Sequence, residues 1–348
     1  MANGGIFVYV SCGDAKEIFV LQLDVNSGCL ALIQQIPVGG NVHPMAISPD
    51  RRFLYAAIRS EPYLLSSFAI SPLTGALTHL ANVPLAGTMA YISTDRTGRF
   101  LFSASIPEPH NRTKQSGVIS VNAIGPQGFV QPAHQIIRTP PKMHAIFADP
   151  TNQYVFATSN LEDCIVRYNF DEVRGEFLSP APLRVRVKPN AGPRHFVFHP
   201  NNGLLYLINE TDASIYTFQY DSTEGTLTEY QIVDILRPSF TGPPPMAADL
   251  HITPDGHFLY ASERISNTIA AFKIDLLNGS LSSAGIFTAP NRPLSFNIDP
   301  YGRNLLCGGQ HAHSITTYSI DSTTGILTTL EDFPVGRGPN WIEIVRLP

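Results

Sequence analysis

Seven copies of one hairpin signature run through the 348 residues, and no other feature constrains the fold as much. Each copy opens on an aliphatic residue, continues as an alternating strand that often closes on Asp, and reaches Gly ten positions after its start. The copies begin at Ile18, Leu65, Val118, Ile165, Ile215, Ile269 and Ile315 and end at Gly28, Gly75, Gly128, Gly175, Gly225, Gly279 and Gly325. A strand, a turn that needs a permissive backbone and a second strand make a β-hairpin.

A second repeat is interleaved with the first. Fourteen-residue windows, each two alternating strands around a tight turn, start at Pro44, Tyr91, Ala145, His195, Asp249 and Ser295 and align without a gap. The seventh copy is divided: GPNWIEIV near the C-terminus matches GPRHFVFH, and IFVYVS near the N-terminus matches FLYAA. Windows and hairpins together make seven four-stranded units spaced 46 to 54 residues apart. That pattern predicts an all-β, seven-bladed β-propeller with four antiparallel strands per blade, its last blade closed by the N- and C-terminal strands. A solenoid would need no complementary ends, and the WD signature is absent. No linker interrupts the repeats, so residues 1–348 read as a single domain.

Hydrophobic residues make up 43% of the chain and charged residues 15%, enough apolar material for a large core. A formal charge of -5 without a basic run argues against a nucleic-acid partner, which requires clustered Lys and Arg. No stretch is long and apolar enough to span a bilayer, and the start MANGGIFVYVSCGD lacks a basic leader, so a cytoplasmic protein without a membrane partner is expected. Cys12, Cys29, Cys164 and Cys307 form no CxxC pair and read as buried, reduced thiols.

In a propeller blade the first strand runs down the channel wall and the second climbs back. The residue before the first strand and the residue after the second therefore share a rim. With the sixth window position as the register mark, the residues six places earlier are His43, Ala90, His144, Arg194, Ala248 and Leu294, with Asn340 in the divided blade. Ten places after the mark lie Arg59, Ile106, Asn160, Glu210, Arg264 and Gln310. The two sets collect two His, three Arg and one Glu from a chain poor in charge, the kind of convergent polar set that builds a small-molecule site. His195 and His251 fall within channel-lining strands, and Trp341 opens the closing strand, either flooring the pocket or packing in the core. His199 sits at the far end of its strand and is expected to be structural. His311 and His313 form an HxH pair without a third ligand, so no metal is expected. Loops 106–117 and 237–248 are long enough to be lids or binding loops.

Through HPMAISPDRRFLY, GPRHFVFHP, Asn209-Glu210, ADLHITPDGHFLYASER and VGRGPNW the chain resembles the bacterial 6-phosphogluconolactonases, end to end. It is more distantly similar to the fungal carboxymuconate-lactonizing enzymes. The resemblance implies a seven-bladed propeller acting on a small anionic lactone; a monomer or weak homodimer without a cofactor is expected. The fungal relatives imply a site of His144, Arg194, Arg264 and Glu210, all on the rim positions. PPPM before Ala247 and RPLSFN around Arg292 depart from the family pattern and bear on how a phosphate would be gripped.

For hydrolysis of a sugar δ-lactone, most readily 6-phospho-D-glucono-1,5-lactone, the residue types suggest a division of labour. Arg194 and Arg264 hold the anion, with Arg59, His43, His251, Gln310 and Trp341 as further substrate contacts. Glu210 orients or deprotonates water, and His144 or His195 polarises the carbonyl or protonates the leaving alkoxide. The same groups would also serve a cycloisomerisation, and a rim used only for binding remains an alternative of another class.

Overall fold

The computed structural model describes residues 4–106, 117–178, 182–200 and 203–348, and every regular element among them is a β-strand. The strands form seven antiparallel sheets. Blades I to VI span residues 42–84, 89–139, 143–186, 193–234, 247–288 and 293–334. Blade VII joins the strand Pro339–Arg346 to residues 6–37. In blade III the outermost strand is in two pieces, Glu176–Phe177 and Leu183–Arg186, both paired with Cys164–Asp171. The innermost strands pack one against the next around the ring, and the last returns to the first. Closure is antiparallel and in register from Ile6 opposite Arg346 to Ser11 opposite Trp341.

Burial follows position in the blade. The second strands Phe53–Ile58, Phe100–Ser105 and Phe258–Glu263 are buried at every residue, because both of their faces are packed. Outermost strands such as Leu327–Pro334 alternate and leave one face exposed. The seven repeat glycines all have φ between +64° and +81°. At Gly75 a Cβ would also lie 2.3 Å from the ring of Phe7 in blade VII, so packing and conformation both demand glycine there. Tyr9, Tyr206 and Tyr260 donate their hydroxyls to the carbonyls of Gly75, Gly279 and Gly325, tying each of their blades to the next. Cys12, Cys164 and Cys307 are buried, but Cys29 is exposed, since it follows the Gly28 turn at the periphery.

One irregularity recurs in every blade. Near the rim the first strand carries one residue more than its partner: in blade I, Val42 faces Ile58 but Met45 already faces Ala56. The seven bulged stretches contain His43, Ala90, His144, Arg194, Ala248, Leu294 and Asn340. A bulge leaves a residue unpaired and re-aims its side chain. The rim positions are thus the places where the sheet releases a side chain from the pleat.

Candidate active site

The second rim set is pinned to the first by the backbone. The amides of Gly13, Arg59, Ile106, Asn160, Glu210, Arg264 and Gln310 each donate to the carbonyl of a residue preceding the first strand of their own blade. Seven equivalent bonds put both sets at one mouth of the channel. His43 feels the charges of Arg59, Arg194 and Arg264 from three blades, so these groups converge.

Glu210 is enclosed by cations. Its carboxylate accepts from Arg264 Nη2 at 2.6 Å, Asn160 Nδ2 at 2.9 Å and Lys142 Nζ at 3.2 Å. Burial works against ionisation, but Arg194, Lys142 and Arg264 outweigh it and hold the carboxyl at about 2. Such a carboxylate has little affinity for a proton, which weakens its candidacy for deprotonating water. Arg264 also donates through Nε to Met246 O at 2.9 Å. Arg194 is buried, donates through Nη1 to Ala248 O, and keeps a buried Nε without a hydrogen-bond partner. Burial pulls Arg194 and Arg59 down to about 10, which leaves both charged at neutral pH.

Beneath this ring of charge lies an aromatic floor. The residues next after the bulges include Tyr91, His195, Asp249 and Trp341, one layer deeper in the channel. Tyr91 meets His195 edge-on at 5.2 Å and Trp341 at 5.1 Å, and His144 meets His195 at 5.2 Å between ring centroids. His195 Nδ1 lies 2.8 Å from Asp249 Oδ1, and Arg194 Nη1 lies 3.4 Å from His195 Nε2. Burial, then Arg194, pull His195 down to about 4, so it is neutral at pH 7. Burial likewise pushes His144 and His43 well below the usual histidine range, and the Nδ1 of each is buried without a partner.

The remaining candidates divide by depth. Gln310 stands on the rim beside blade VI. Trp341 is buried in the floor and donates its indole N–H to Glu343 Oε1 at 2.8 Å, away from the rim. With Tyr91, Phe147 and Glu343 it bounds a lower cavity of about 310 Å³ that opens below the floor. His251 lies deeper than the rim set, 3.4 Å from Asp249 Oδ2 and edge-on to Phe296. The strand descends three residues from the Ala248 bulge to reach it, within the channel wall where the sequence placed it. His199 is buried at the far end of its strand, 3.1 Å from Gly256 O. His313 Nδ1 accepts from Gly338 N–H, and among the described residues no group of three or more His, Cys, Asp or Glu is placed to hold a metal. Loop 237–248 lines a groove of about 770 Å³ against the outer strands of blade V, and its Met246 end reaches the site, where Arg292 Nη2 lies 3.8 Å from the Met246 sulfur. Residues 107–116 of the other long loop lie outside the described residues.

Sequence reasoning passed over Lys142, Tyr91 and Asp249. Tyr91 and Asp249 occupy the first column of the aligned windows, the column that also holds His195, so the signal was there to read. Lys142 precedes the bulge residue His144 by two places, in the column of Asn41, Thr88, Gly192, Met246, Arg292 and Gly338, whose mixed residue types carry no common signal.

Three histidines held neutral give the fold a pH dependence of definite sign. Below pH ~6.5 the unfolded chain binds protons that folded His43, His144 and His195 refuse, so stability falls as pH drops, for His195 down to about 4. Glu343 opposes them: burial raises it to about 7, so it contributes stability at low pH that is lost as pH rises through 7. Asp212, also raised by burial, acts in the same sense as Glu343, and three histidines against these two carboxyls predict a thermal midpoint that falls between pH 7 and pH 5. Melts followed by circular dichroism check this, and a midpoint that rises toward pH 5 would refute it.

Comparison with known proteins agrees with the propeller fold. The family model described as "Lactonase, 7-bladed beta-propeller" matches residues 7–344. A 6-phosphogluconolactonase of Yersinia pseudotuberculosis serotype O:3 (strain YPIII) is 37% identical over 337 residues, covering 97% of each chain. One from Serratia proteamaculans (strain 568) is 37% identical over 97% of this chain and 98% of its own. The structure of the periplasmic gluconolactonase of Pseudomonas aeruginosa superposes with a TM-score of 0.89 at 24% identity, over 99% of this chain and all of that one, a likeness of fold. The chain belongs to the seven-bladed β-propeller lactonase family.

Proposed function

We propose that the chain hydrolyses 6-phospho-D-glucono-1,5-lactone to 6-phosphogluconate, the activity named for its relatives at 37% identity. The observation that carries the reading is the charge at the mouth: among the described residues, Arg59, Arg194, Arg264 and Lys142 stand around the ionised carboxylate of Glu210, on a protein of net charge -5. Such a mouth concentrates an anionic substrate. The neutral imidazoles of His144 on the rim and His195 one layer below it offer proton acceptors and donors at pH 7. Arg194 and Arg264 grip the phosphate or the carbonyl oxygen by charge-assisted hydrogen bonds. Glu210 holds Arg264 and Lys142 in place. A histidine takes the proton of the attacking water, and the opened ring oxygen receives one as the C–O bond breaks. The reading includes a cytoplasmic protein, monomeric or weakly dimeric.

A panel of phosphorylated and unphosphorylated sugar lactones tests it, with proton release followed at fixed pH and corrected for spontaneous opening. The phosphorylated lactone should be preferred by about tenfold or more in kcat/KM, the scale of one charge-assisted hydrogen bond. Arg264→Met should chiefly raise KM for that substrate and do so less for the unphosphorylated one. An equal penalty on both would show that the cations do not hold the phosphate.

A further inference from the structure

We infer that Asp249 is the positioning residue of this hydrolysis, fixing His195 with its proton on Nδ1 so that the Nε2 lone pair faces the rim as the base. The inference rests on the lactonase reading and adds to it a residue that the rim positions do not contain. Three observations carry it. Asp249 is 6% exposed and lies one layer below the mouth, where no substrate atom is needed to account for its contacts. Its Oδ1 is 2.8 Å from His195 Nδ1 and also accepts from Leu250 N–H at 3.1 Å, while Oδ2 faces His251 Nε2 and Phe296 N–H, each at 3.4 Å. Surrounded by donors, the carboxylate acts as an acceptor, so the hydrogen between Asp249 and His195 belongs to Nδ1. On the opposite side of the ring, Arg194 Nη1 can only donate, which again requires a lone pair on Nε2, one that Arg194 gives up to the attacking water when it turns to the substrate anion.

The chemistry then balances. The water oxygen bonds to the lactone carbonyl carbon as one of its protons passes to His195 Nε2, making an imidazolium that Asp249 stabilises without itself taking the proton. Collapse of the tetrahedral intermediate breaks the bond between the carbonyl carbon and the ring oxygen. The ring oxygen recovers the proton from Nε2, and the acid product releases its own to solvent. The charged and titratable groups facing His195 are Arg194 on its own strand, His144 from blade III, Tyr91 from blade II, Asp249 and His251 from blade V and His43 from blade I. Of these, Asp249 is the one carboxylate in contact with the ring.

The experiment pairs a spectroscopic readout with kinetics. Nitrogen-15 spectra of the imidazoles in the wild-type protein should show His195 as the Nδ1–H tautomer, and Asp249→Ala should abolish that preference. Asp249→Asn and Asp249→Ala should lower kcat by roughly 10² or more, with KM within about threefold, and move the acid limb of the pH–rate profile to lower pH as the anion beside the ring is lost. An Nε2–H tautomer in wild type overturns the inference, as does a folded Asp249→Ala that retains kcat within threefold. Should the variants fail to fold, the wild-type tautomer alone decides. If the tautomer is as stated but no lactone is opened by the wild-type protein, the lactonase reading fails while the Asp249–His195 placement stands.

Discussion

Deletion of residues 340–348 should abolish cooperative folding and send the protein into aggregates. The segment supplies Trp341, Ile342, Val345 and Leu347, all buried, and full burial of such side chains is worth about 1.5–3 kcal/mol each. Four of them amount to roughly 6–12 kcal/mol, comparable with the whole stability of an ordinary domain at about 5–15 kcal/mol. Asn340 adds a joint between blades, accepting from Ser11 Oγ at 2.7 Å and donating to Val42 O at 3.1 Å. Without the segment, Ile6–Cys12 becomes an edge strand with the uncharged sequence IFVYVSC, a template for pairing between molecules. Sedimentation and a thermal melt of the truncated chain give the answer. A soluble product with a sharp transition would mean that the ring holds without its closing strand.

The largest kinetic effect should come from His195→Gln. If His195 is the base, its loss lowers kcat by roughly 10²- to 10⁴-fold for phosphorylated and unphosphorylated lactones alike, because the proton transfer is common to both. KM should stay within a few-fold, since the cations that hold the anion are untouched. Gln keeps a polar group near Asp249 and approximates the volume of the ring, so the variant should still melt cooperatively near pH 7. Its behaviour would then contrast with Arg264→Met, where the effect falls on KM and depends on the substrate's charge. A folded His195→Gln with full kcat would move the base to His144, whose ring lies beside it.

The blade count, the order of strands and the divided seventh blade were all legible in the sequence, because each blade repeats the same local instructions. Ile18 to Gly28 and its six counterparts specify a hairpin from alternation and one turn residue, and IFVYVS and GPNWIEIV each carry half of a window that the other completes. The rim positions were legible for the same reason: once the strands are in register, His43, His144, Arg194 and Asn340 must occupy one level, as must Arg59, Glu210 and Arg264. What a linear repeat does not encode is which side chains meet across the ring, because partners in different blades stand 54 residues apart in the case of His195 and Asp249 and 68 in the case of Lys142 and Glu210. The bulge that turns each rim side chain out of the pleat is equally invisible, since the extra residue lies before the windows begin. Chemistry depends on those placements. Glu210 is a plain carboxylate in the sequence and becomes a weak base only among Arg194, Lys142 and Arg264, while His195 becomes a neutral imidazole only when burial and Arg194 remove the advantage of its charge. Strand formation is a local property and was determined by the sequence, whereas proton affinity depends on three-dimensional distance and desolvation and was decided by the closed ring.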